Sequence, residues 1–523
     1  MILEILISLL TTTVVYVLYC YKRVHNYFKQ RDLKFLKGLP VFGNVFKSSF
    51  LKRHYVHELE EVYRAFPDER YVGFIEMTKP IILIRDPELI KQITVKDFDH
   101  FTDHKELFSE DPLFTDSLIA MKGDRWRVMR NTLSPAFTSS KMRHMLPFMT
   151  ENAHNVVEFL KENASMDIDV DDIIQRYTND VIASAGFGLQ LNSVKDRHNQ
   201  FYRLGSTMLD FTFKQKVYMV LIRLIPGFTK KLGIRIFPDE AYSFFTNLVE
   251  STMEYRKKEK IERHDMIQLL METSRGKTHL NKLHLSDPTE HLRNDSRCFG
   301  GAMILLPEWT ALELTGQVFI FFAAGFEISA SVLSMTIHEL ALNPEVQNKL
   351  YQELRKHKED TELTFENISE LKYLECVVNE TLRKWAPAIF MDRICVKPYE
   401  LPPPREGGQP YVVKPGDVIF NMVNCLHMDP KYFPEPERYR PDRFFEENKH
   451  QIKPFTFMPF GNGPGICIGT RFAISESKVL LYYVLLNFKI TKCEKTADPP
   501  SLAPNAFNIK AQGGTWVRFE ERS

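Results

Sequence analysis

The sequence predicts a mainly α-helical protein with a smaller β-rich part, an α+β fold class. Residues 123–275 carry a helical pattern with few strands. Residues 312–343 are apolar almost all round, which is expected of a helix that runs through the centre of a large protein. Strand-like runs occur at 70–84 and 388–420, so the β-structure is confined to two small parts of the chain.

The element boundaries follow from local signals. We place a turn at Lys79-Pro80 between the first two strands, and a helix beginning at Pro87 with Asp86 as its cap. Pro344 ends the long apolar helix. That helix is unsuited to be a second membrane span because of polar and charged residues that include Glu313, Gln317, Glu327 and His338.

The N-terminus has the composition of a membrane anchor. Residues 5–21 carry no charge, and a run of about 17–20 apolar residues can cross a bilayer as one helix. Basic residues follow the run instead of preceding it, which argues against a cleaved signal peptide and keeps the main body in the cytosol. The basic residues are Lys22, Arg23, Lys29, Arg31, Lys34 and Lys37.

These patterns divide the chain into three parts. We expect a transmembrane signal anchor at residues 1–21, a basic linker with a Pro/Gly hinge at 22–44, and one globular domain at 45–523. Within that domain, residues 274–307 are mostly polar and aperiodic, so we expect a flexible loop.

Bulk composition excludes several classes. The 523 residues include 68 Lys+Arg and 67 Asp+Glu, and a formal charge of +1 gives no reason to expect nucleic acid as a partner. Seven widely spaced cysteines without a CxxC exclude a zinc ribbon and a disulfide framework. They suit a reducing compartment in which a single cysteine can serve chemistry.

One cysteine lies in a glycine-rich loop. In "FMPFGNGPGICIGTRFA" (residues 457–473), Cys467 directly precedes a helical pattern. A helix dipole and backbone N–H groups lower the pKa of a thiol, and glycines let the backbone approach a flat group. This combination suits thiolate ligation of haem iron, although a lone cysteine in a glycine loop is more often a buried small residue.

Two further constellations accompany that loop. Glu380 and Arg383 in "NETLRKW" share a helix face, and Arg443 in "RPDRFF" can complete a buried network of three charges with them. Trp126 and Arg130 in "WRVMR" are four residues apart on another helix, where they can hold a carboxylate-bearing ligand. Ordinary surface pairs would explain either spacing alone.

Taken together, the motifs resemble the cytochrome P-450 superfamily of haem-thiolate monooxygenases over essentially the whole chain. "FGNGPGICIG" resembles its haem-ligand loop, "ETLR" its Glu-x-x-Arg motif, "FPEPERYRPDRF" its meander and "AGFEIS" its oxygen-binding groove. "RDPELIKQITVKDFDHF" and "YTNDVIASAGFG" are similar to the microsomal animal branch that includes insect detoxifying enzymes.

The resemblance implies a cytochrome P-450 fold with haem b (iron protoporphyrin IX) and assigns roles to individual residues. Cys467 is the implied axial ligand of the iron. The implied structural network is Glu380, Arg383 and Arg443. The residues implied to contact haem are Trp126, Arg130, Arg393, Phe460, Gly463 and Gly469. Those implied on the oxygen side are Ala324, Gly325 and Glu327, with Ser329 as a further catalytic candidate.

Two positions depart from the family pattern. Ile328 stands where most members have a Thr whose hydroxyl helps to deliver protons, and Ser329 points about 100° away unless the helix bulges there. Gly465 stands where most members have an Arg or His that binds a haem propionate.

These departures leave three functions open: a monooxygenase that relays protons through water, an isomerase that rearranges peroxides without O2 or NADPH, and an inactive haem-poor relative. We favour the monooxygenase because water can replace a hydroxyl in a relay.

The implied reaction inserts one oxygen atom of O2 into a lipophilic substrate, with electrons from an NADPH-dependent flavoprotein reductase at the endoplasmic reticulum membrane. Basic residues that could dock the reductase are Lys122, Arg125, Arg127 and Arg471. Stretches implied to line the substrate pocket are 104–114, 208–213, 319–326 and 388–390.

Overall fold

The computed structural model describes residues 2–105, 111–209, 212–225, 229, 231–263, 265–274, 309–506 and 508–522. It confirms the mainly helical class. The helices are α1 (Ile2–Lys29), α2 (Phe46–Ser49), α3 (Tyr55–Ala65), α4 (Pro87–Lys91), α5 (Pro112–Thr115), α6 (Gly123–Leu133), α7 (Ser139–Glu162), α8 (Val170–Ile182), α9 (Gln200–Leu209), α10 (Phe213–Leu224), α11 (Asp239–Glu259), α12 (Met266–Ser274), α13 (Ala311–Ala323), α14 (Ser329–Leu342), α15 (Pro344–Asp360), α16 (Lys372–Lys384), α17 (Val423–His427), α18 (Glu446–Lys449) and α19 (Thr470–Asn487).

The strands form three small sheets. They are β1 (Tyr71–Glu76), β2 (Lys79–Ile84), β3 (Asp167–Asp169), β4 (Met391–Ile394), β5 (Tyr399–Leu401), β6 (Tyr411–Val413), β7 (Val418–Asn421), β8 (Phe488–Thr491) and β9 (Trp516–Glu521). The largest sheet has the order β1-β2-β7-β4, with β2 and β7 parallel. The others are β3-β9-β8 and the hairpin β5-β6.

The first hairpin corrects one predicted boundary. Lys79 and Pro80 lie inside β2, where they pair with Glu76 and Ile75, so the turn lies at Met77 and Thr78 instead. Met77 takes a positive φ of 56°, which the propensity signals of Lys and Pro did not reveal. The predicted helix start is confirmed, since the Asp86 side chain accepts a hydrogen bond from the Glu88 N–H.

The central apolar helix is confirmed, and it is interrupted. Residues Ala311–Ala323 and Ser329–Leu342 are joined by a π-helical turn at Ala324–Ile328. By length and composition two helices among the described residues could cross a membrane, Leu3–Lys29 and Ala311–Leu342. The second is more than half buried inside the protein, as a core helix is, whereas the first is almost entirely exposed.

Helix α1 continues past the predicted end of the anchor. It runs unbroken to Lys29, and its last turns dock on the body through the buried side chains of Val24 and Phe28. Gly73 of β1 leaves room for Phe28, because a Cβ there would lie 2.7 Å from the Phe28 ring. The predicted loop at 274–307 lies, after its first residue, outside the described residues.

Aromatic rings fill the interior beside the central helix. Phe322 lies 5.2 Å from Phe201, 5.0 Å from Phe245 and 5.4 Å from Phe326, measured between ring centroids. Gly205 permits this contact, since a side chain there would overlap the Phe322 ring. Much of the high Phe content therefore serves core packing.

The predicted network of three charges forms. The Arg383 Nε and Nη2 atoms each donate to a different oxygen of Glu380 at 2.8 Å, and both side chains are 0% exposed. Arg443 Nε lies 3.4 Å from Glu380 Oε1, which also accepts the Arg440 backbone N–H at 2.8 Å. Bidentate geometry and these additional donors offset the cost of burying the charges.

The network also holds the chain segments that follow it. Arg383 donates to the backbone oxygens of His427 at 2.9 Å and Pro436 at 2.7 Å. The His427 Nε2 atom in turn accepts the Met458 N–H at 3.0 Å. Burial and the charge of Arg383 lower the pKa of His427 to about 3, so its ring is neutral and can accept that hydrogen bond.

Replacement of the buried carboxylate tests this arrangement. Glu380→Ala should lower the free energy of unfolding by about 3–5 kcal/mol, because it leaves a buried guanidinium without its carboxylate. The matched control is Glu359→Ala, which removes the partner of Arg355 from a pair that is 59% and 62% exposed; it should cost about 0–1 kcal/mol. Urea unfolding of the haem-bound protein measures both, and equal small losses would contradict the role given to Glu380.

Candidate active site

The glycine loop carries Cys467 in a fixed backbone conformation. The Cys467 N–H donates to Phe460 O at 2.8 Å, and the Ile466 N–H donates to Gly463 O at 3.0 Å. Gly463 has a φ of 68°, and a side chain at this position would overlap the carbonyl oxygen of Thr94. Only glycine meets both constraints, so the loop can pass this close to the Gln92–Lys96 turn.

The net effect of the surrounding protein on the pKa of Cys467 differs from the prediction. Cys467 keeps an exposed surface, but the surrounding protein atoms desolvate its thiol and raise the pKa, while the Gly469 N–H, the charge of Arg130 and the Thr470 hydroxyl oppose this rise. Helix α19 begins at Thr470, three residues beyond the cysteine, so the loop stabilises a thiolate with a few local groups. The prediction of a lowered pKa was therefore wrong for the polypeptide alone. A cation at the sulfur would act in the opposite direction to burial.

Helix α6 brings its predicted pair to the loop. Arg130 Nη2 donates to Ile466 O at 2.6 Å, next to Cys467. The Trp126 side chain is buried, and its ring packs on Phe98 with 5.7 Å between centroids. The structure thus brings the guanidinium of this helix to the cysteine loop, while the indole packs on Phe98.

Arg393 occupies the space that a larger residue at position 465 would need. A Cβ on Gly465 would overlap Arg393 Nη2. Arg393 Nη1 donates to Asp392 O at 2.7 Å and to His104 Nε2 at 3.1 Å, and its buried Nε has no hydrogen-bond partner among the described residues. A guanidinium therefore does lie where an Arg at position 465 would place one, but it belongs to Arg393.

His104 and Asp392 hold that guanidinium, and sequence reasoning did not assign them this role. His104 Nδ1 lies 3.1 Å from Asp392 Oδ1, and the Lys105 N–H also donates to the Asp392 carboxylate. Burial raises the pKa of Asp392, but the His104 charge and these hydrogen bonds outweigh it and lower the pKa to about 2. The one available signal was the adjacency of Asp392 and Arg393.

A cavity of about 750 Å³ adjoins the central helix. Ala324, Glu327 and Ile328 line it, and Ile328 is 39% exposed toward it. Glu327 Oε2 accepts from Gln175 Nε2 at 2.8 Å, a partner on α8 that the sequence did not indicate. Of the stretches implied to line the pocket, 104–114, 208–213 and 319–326 contribute some residues and 388–390 contribute none; the contributing residues are Phe114, Thr212, Phe319, Ile320, Ala323 and Ala324.

Gly325 does not line the cavity, contrary to the position expected of it, and the catalytic candidate Ser329 does not line it either. A Cβ on Gly325 would lie 2.9 Å from Ile182 Cδ1, so this glycine serves close packing on α8. The helix does bulge at Ala324–Ile328, yet Ser329 is buried beside Glu476 of α19. Burial raises the pKa of Glu476 to about 8, against a smaller lowering effect of the Ser329 hydroxyl. The π turn thus leaves Ile328, and no hydroxyl, facing the cavity.

The residues present fit a flat anionic cofactor held by a thiolate. Cys467 is accessible at the loop surface, Arg130 lies beside it, and Arg393 retains an unpartnered buried N–H. Two guanidiniums suit two carboxylates, and the soft sulfur suits iron. The described residues contain no group of three or more His, Cys, Asp or Glu side chains that could hold a metal ion by themselves.

Comparison with known proteins agrees with this geometry. The family model described as Cytochrome P450 matches residues 33–294 and 304–517. The chain belongs to the cytochrome P450 family. Probable cytochrome P450 9f2 of Drosophila melanogaster is 39% identical over 515 residues, which cover 95% of this chain and 96% of that protein. Cytochrome P450 9e2 of Blattella germanica is 38% identical over 520 residues, with 95% and 94% covered.

Membership of the cytochrome P450 family confirms the predicted fold, the cofactor class and the reaction class. Cytochrome P450 6k1 of Blattella germanica, 34% identical over 513 residues, shows that the similarity extends to a further insect relative. The chain is a cytochrome P450 monooxygenase whose cofactor is haem b bound through a cysteine thiolate. The roles of individual site residues remain predictions.

Substitutions at positions 393 and 465 can test whether Arg393 takes the place of a guanidinium at 465. Arg393→Leu should speed haem loss by about tenfold to a hundredfold, since a charge-assisted hydrogen bond to a propionate is removed. Adding Gly465→Arg to that variant should recover most of the loss, because the new guanidinium can enter the vacated volume. Gly465→Arg alone should also speed haem loss, because Arg393 occupies the same space.

Transfer of haem to an excess of apomyoglobin measures these rates. The two single variants and the double variant form a complete cycle with the parent chain. If the double variant loses haem as fast as the two single effects combined, an Arg at position 465 cannot take the place of Arg393.

Proposed function

We propose that this chain uses Cys467 as the axial haem ligand and oxidises a lipophilic substrate with O2 and electrons from an NADPH-dependent flavoprotein reductase. We further propose that α1 anchors it in the endoplasmic reticulum membrane with the catalytic domain in the cytosol, because the basic residues follow the apolar segment. The observation that carries the proposal is the position of Cys467 in a glycine loop whose neighbouring carbonyl, that of Ile466, accepts a hydrogen bond from Arg130.

The polypeptide would hold and orient the cofactor. Cys467 would ligate the iron, and Arg130, Arg393 and Trp126 would bind the propionates. When bound, a haem-thiolate group supplies O2 activation, with the thiolate pushing electron density toward O–O cleavage. The Glu380–Arg383 pair would hold the meander and the cysteine loop in fixed positions relative to each other.

Proton supply at the cavity would depend on Glu327. Gln175 and the backbone of this π turn fix the carboxylate, whose oxygen is 2.8 Å from the Gln175 amide. Ile328 next to it offers no donor, so ordered water or a substrate hydroxyl would connect Glu327 to the reacting oxygen. The apolar wall around Ile328 would exclude most other water.

The predicted reductase surface is only partly available. Arg125 pairs with Glu313, and Arg127 pairs with Asp99. Arg471 Nη1 donates to Ser139 Oγ at 3.2 Å in an exposed position. Arg471 lies four residues from Cys467 on the first turn of α19, so it is the strongest remaining candidate for contact with an acidic partner.

A carbon monoxide difference spectrum of the reduced protein in membranes tests the ligand. The long-wavelength thiolate band should be present in the parent chain and lost in Cys467→Ser. Cys493→Ser removes another described free cysteine and should retain the band. Folded protein without the band would overturn the assignment of Cys467 and favour an inactive relative. Turnover that consumes neither O2 nor NADPH would favour an isomerase.

Restoring the hydroxyl tests the proton path. Ile328→Thr should raise the product formed per NADPH consumed, by about twofold or more, if proton transfer is limited by the missing donor. An alkoxycoumarin assay with purified reductase provides both quantities. Ile328→Val is the matched control, since it removes a methylene without adding a donor. An equal ratio for Thr, Val and the parent would show that the path bypasses residue 328.

A further inference from the structure

The cavity beside the central helix is chemically divided. One part is apolar, with Phe114, Phe319, Ala324 and Ile328 on its wall. Another part is lined by the start of α8 and by the segment 508–514, and it is acidic. A cavity for a purely hydrocarbon substrate needs no such end, because desolvating carboxylates costs free energy unless they are paired.

The acidic end contains two neighbouring carboxylates, Asp169 and Asp171, here called the acidic pair. Asp169 Oδ1 caps α8 by accepting the Asp171 N–H at 3.2 Å, and it also accepts the Thr515 N–H at 3.2 Å. Burial, and next the charge of Asp171, raise the pKa of Asp169. Helix capping therefore explains why a carboxylate is present at position 169.

Capping does not account for Asp171. This residue lines the cavity and is 8% exposed, yet its buried Oδ2 atom accepts no hydrogen bond from a described residue. A carboxylate oxygen that is buried without a donor is costly, and the residue that carries it borders a cavity that a ligand can enter. Asp171 thus combines an unused acceptor with a place on the wall of the same cavity as the apolar residues.

Neighbouring charges do not cancel the pair. Asp172 is already engaged by Arg176 at 3.0 Å and by Arg197. Lys510 is the one Lys or Arg among the described residues of the cavity wall, and its charge acts on Asp169. Glu327, which accepts a hydrogen bond from Gln175, adds a further carboxylate. Three carboxylates other than Asp172 therefore face one ammonium, which makes the potential in this part of the cavity negative.

We propose that this cavity selects lipophilic substrates that carry a positive charge. The cationic nitrogen would lie at the acidic pair, with Asp171 as the specificity-determining residue, and the apolar body would extend along Phe319 to Ile328. Oxidation would then fall on carbon remote from the nitrogen. The inference rests on the proposed function for that last point only, since binding of a cation needs no turnover.

Three probes with one phenylbutyl body separate charge from hydrophobicity. They end in trimethylammonium, hydroxyl or carboxylate, and the quaternary nitrogen has no lone pair with which to bind iron. Isothermal titration calorimetry on the full-length haem-bound protein in nanodiscs measures each affinity. The cation should bind about tenfold or more tightly than the alcohol, and the carboxylate most weakly.

Asp171→Asn keeps the side-chain shape and should reduce the preference for the cation by about tenfold while leaving the alcohol unchanged. Asp68→Asn, at an exposed aspartate between α3 and β1, is the control for net charge and should change nothing. Equal affinities for the three probes, or a cation preference that survives Asp171→Asn, would overturn the proposal.

The outcome is independent of the oxygen chemistry. A protein without the carbon monoxide band that still prefers the cation through Asp171 would refute the proposed function and retain this inference. A protein with the band and no cation preference would do the reverse. Mapping the hydroxylated carbon of the bound cation then tests the orientation, and oxidation next to nitrogen would overturn it.

Discussion

The buried ion pair between Glu380 and Arg383 is the constraint on which the site depends. Arg383 uses its donors on Glu380 and on the backbones of His427 and Pro436, so α16, α17 and the meander are joined at one point. The neutral His427 ring accepts a hydrogen bond from the Met458 N–H at the start of the cysteine loop, which links the ion pair to that loop. Since these contacts are direct hydrogen bonds between buried groups, movement at the ion pair would displace the loop that presents Cys467.

Local spacing predicted much of this framework. The i, i+3 relation of Glu380 and Arg383 and the glycines around Cys467 are visible in short windows, and the structure confirms that the charges meet. Helix and strand types followed from periodicity in the same way. The turn at Met77 was missed because its positive φ comes from strand register, which neighbouring residues do not encode.

Long-range contacts account for what the sequence could not show. Gly465 looked like a lost cofactor contact, yet Arg393, 72 positions earlier in the numbering, fills the same space from β4. Ser329 looked like a displaced hydroxyl, and a π turn whose direction is set by packing on α8 and α19 buries it beside Glu476. Each case depends on side chains from separate elements that meet only in three dimensions.

The carboxylates of the cavity impose a free-energy cost that packing alone does not explain. An apolar side chain at 171 would bury more hydrophobic area and leave no acceptor unsatisfied, so stability would favour its replacement. The cost is offset only when a donor or a cation enters the cavity. The acidic pair lies at the start of α8, whereas Phe319 and Ile328 give the cavity an apolar wall. This separation of charged and apolar surface favours one orientation for a bound amphiphile, and orientation decides which carbon is oxidised.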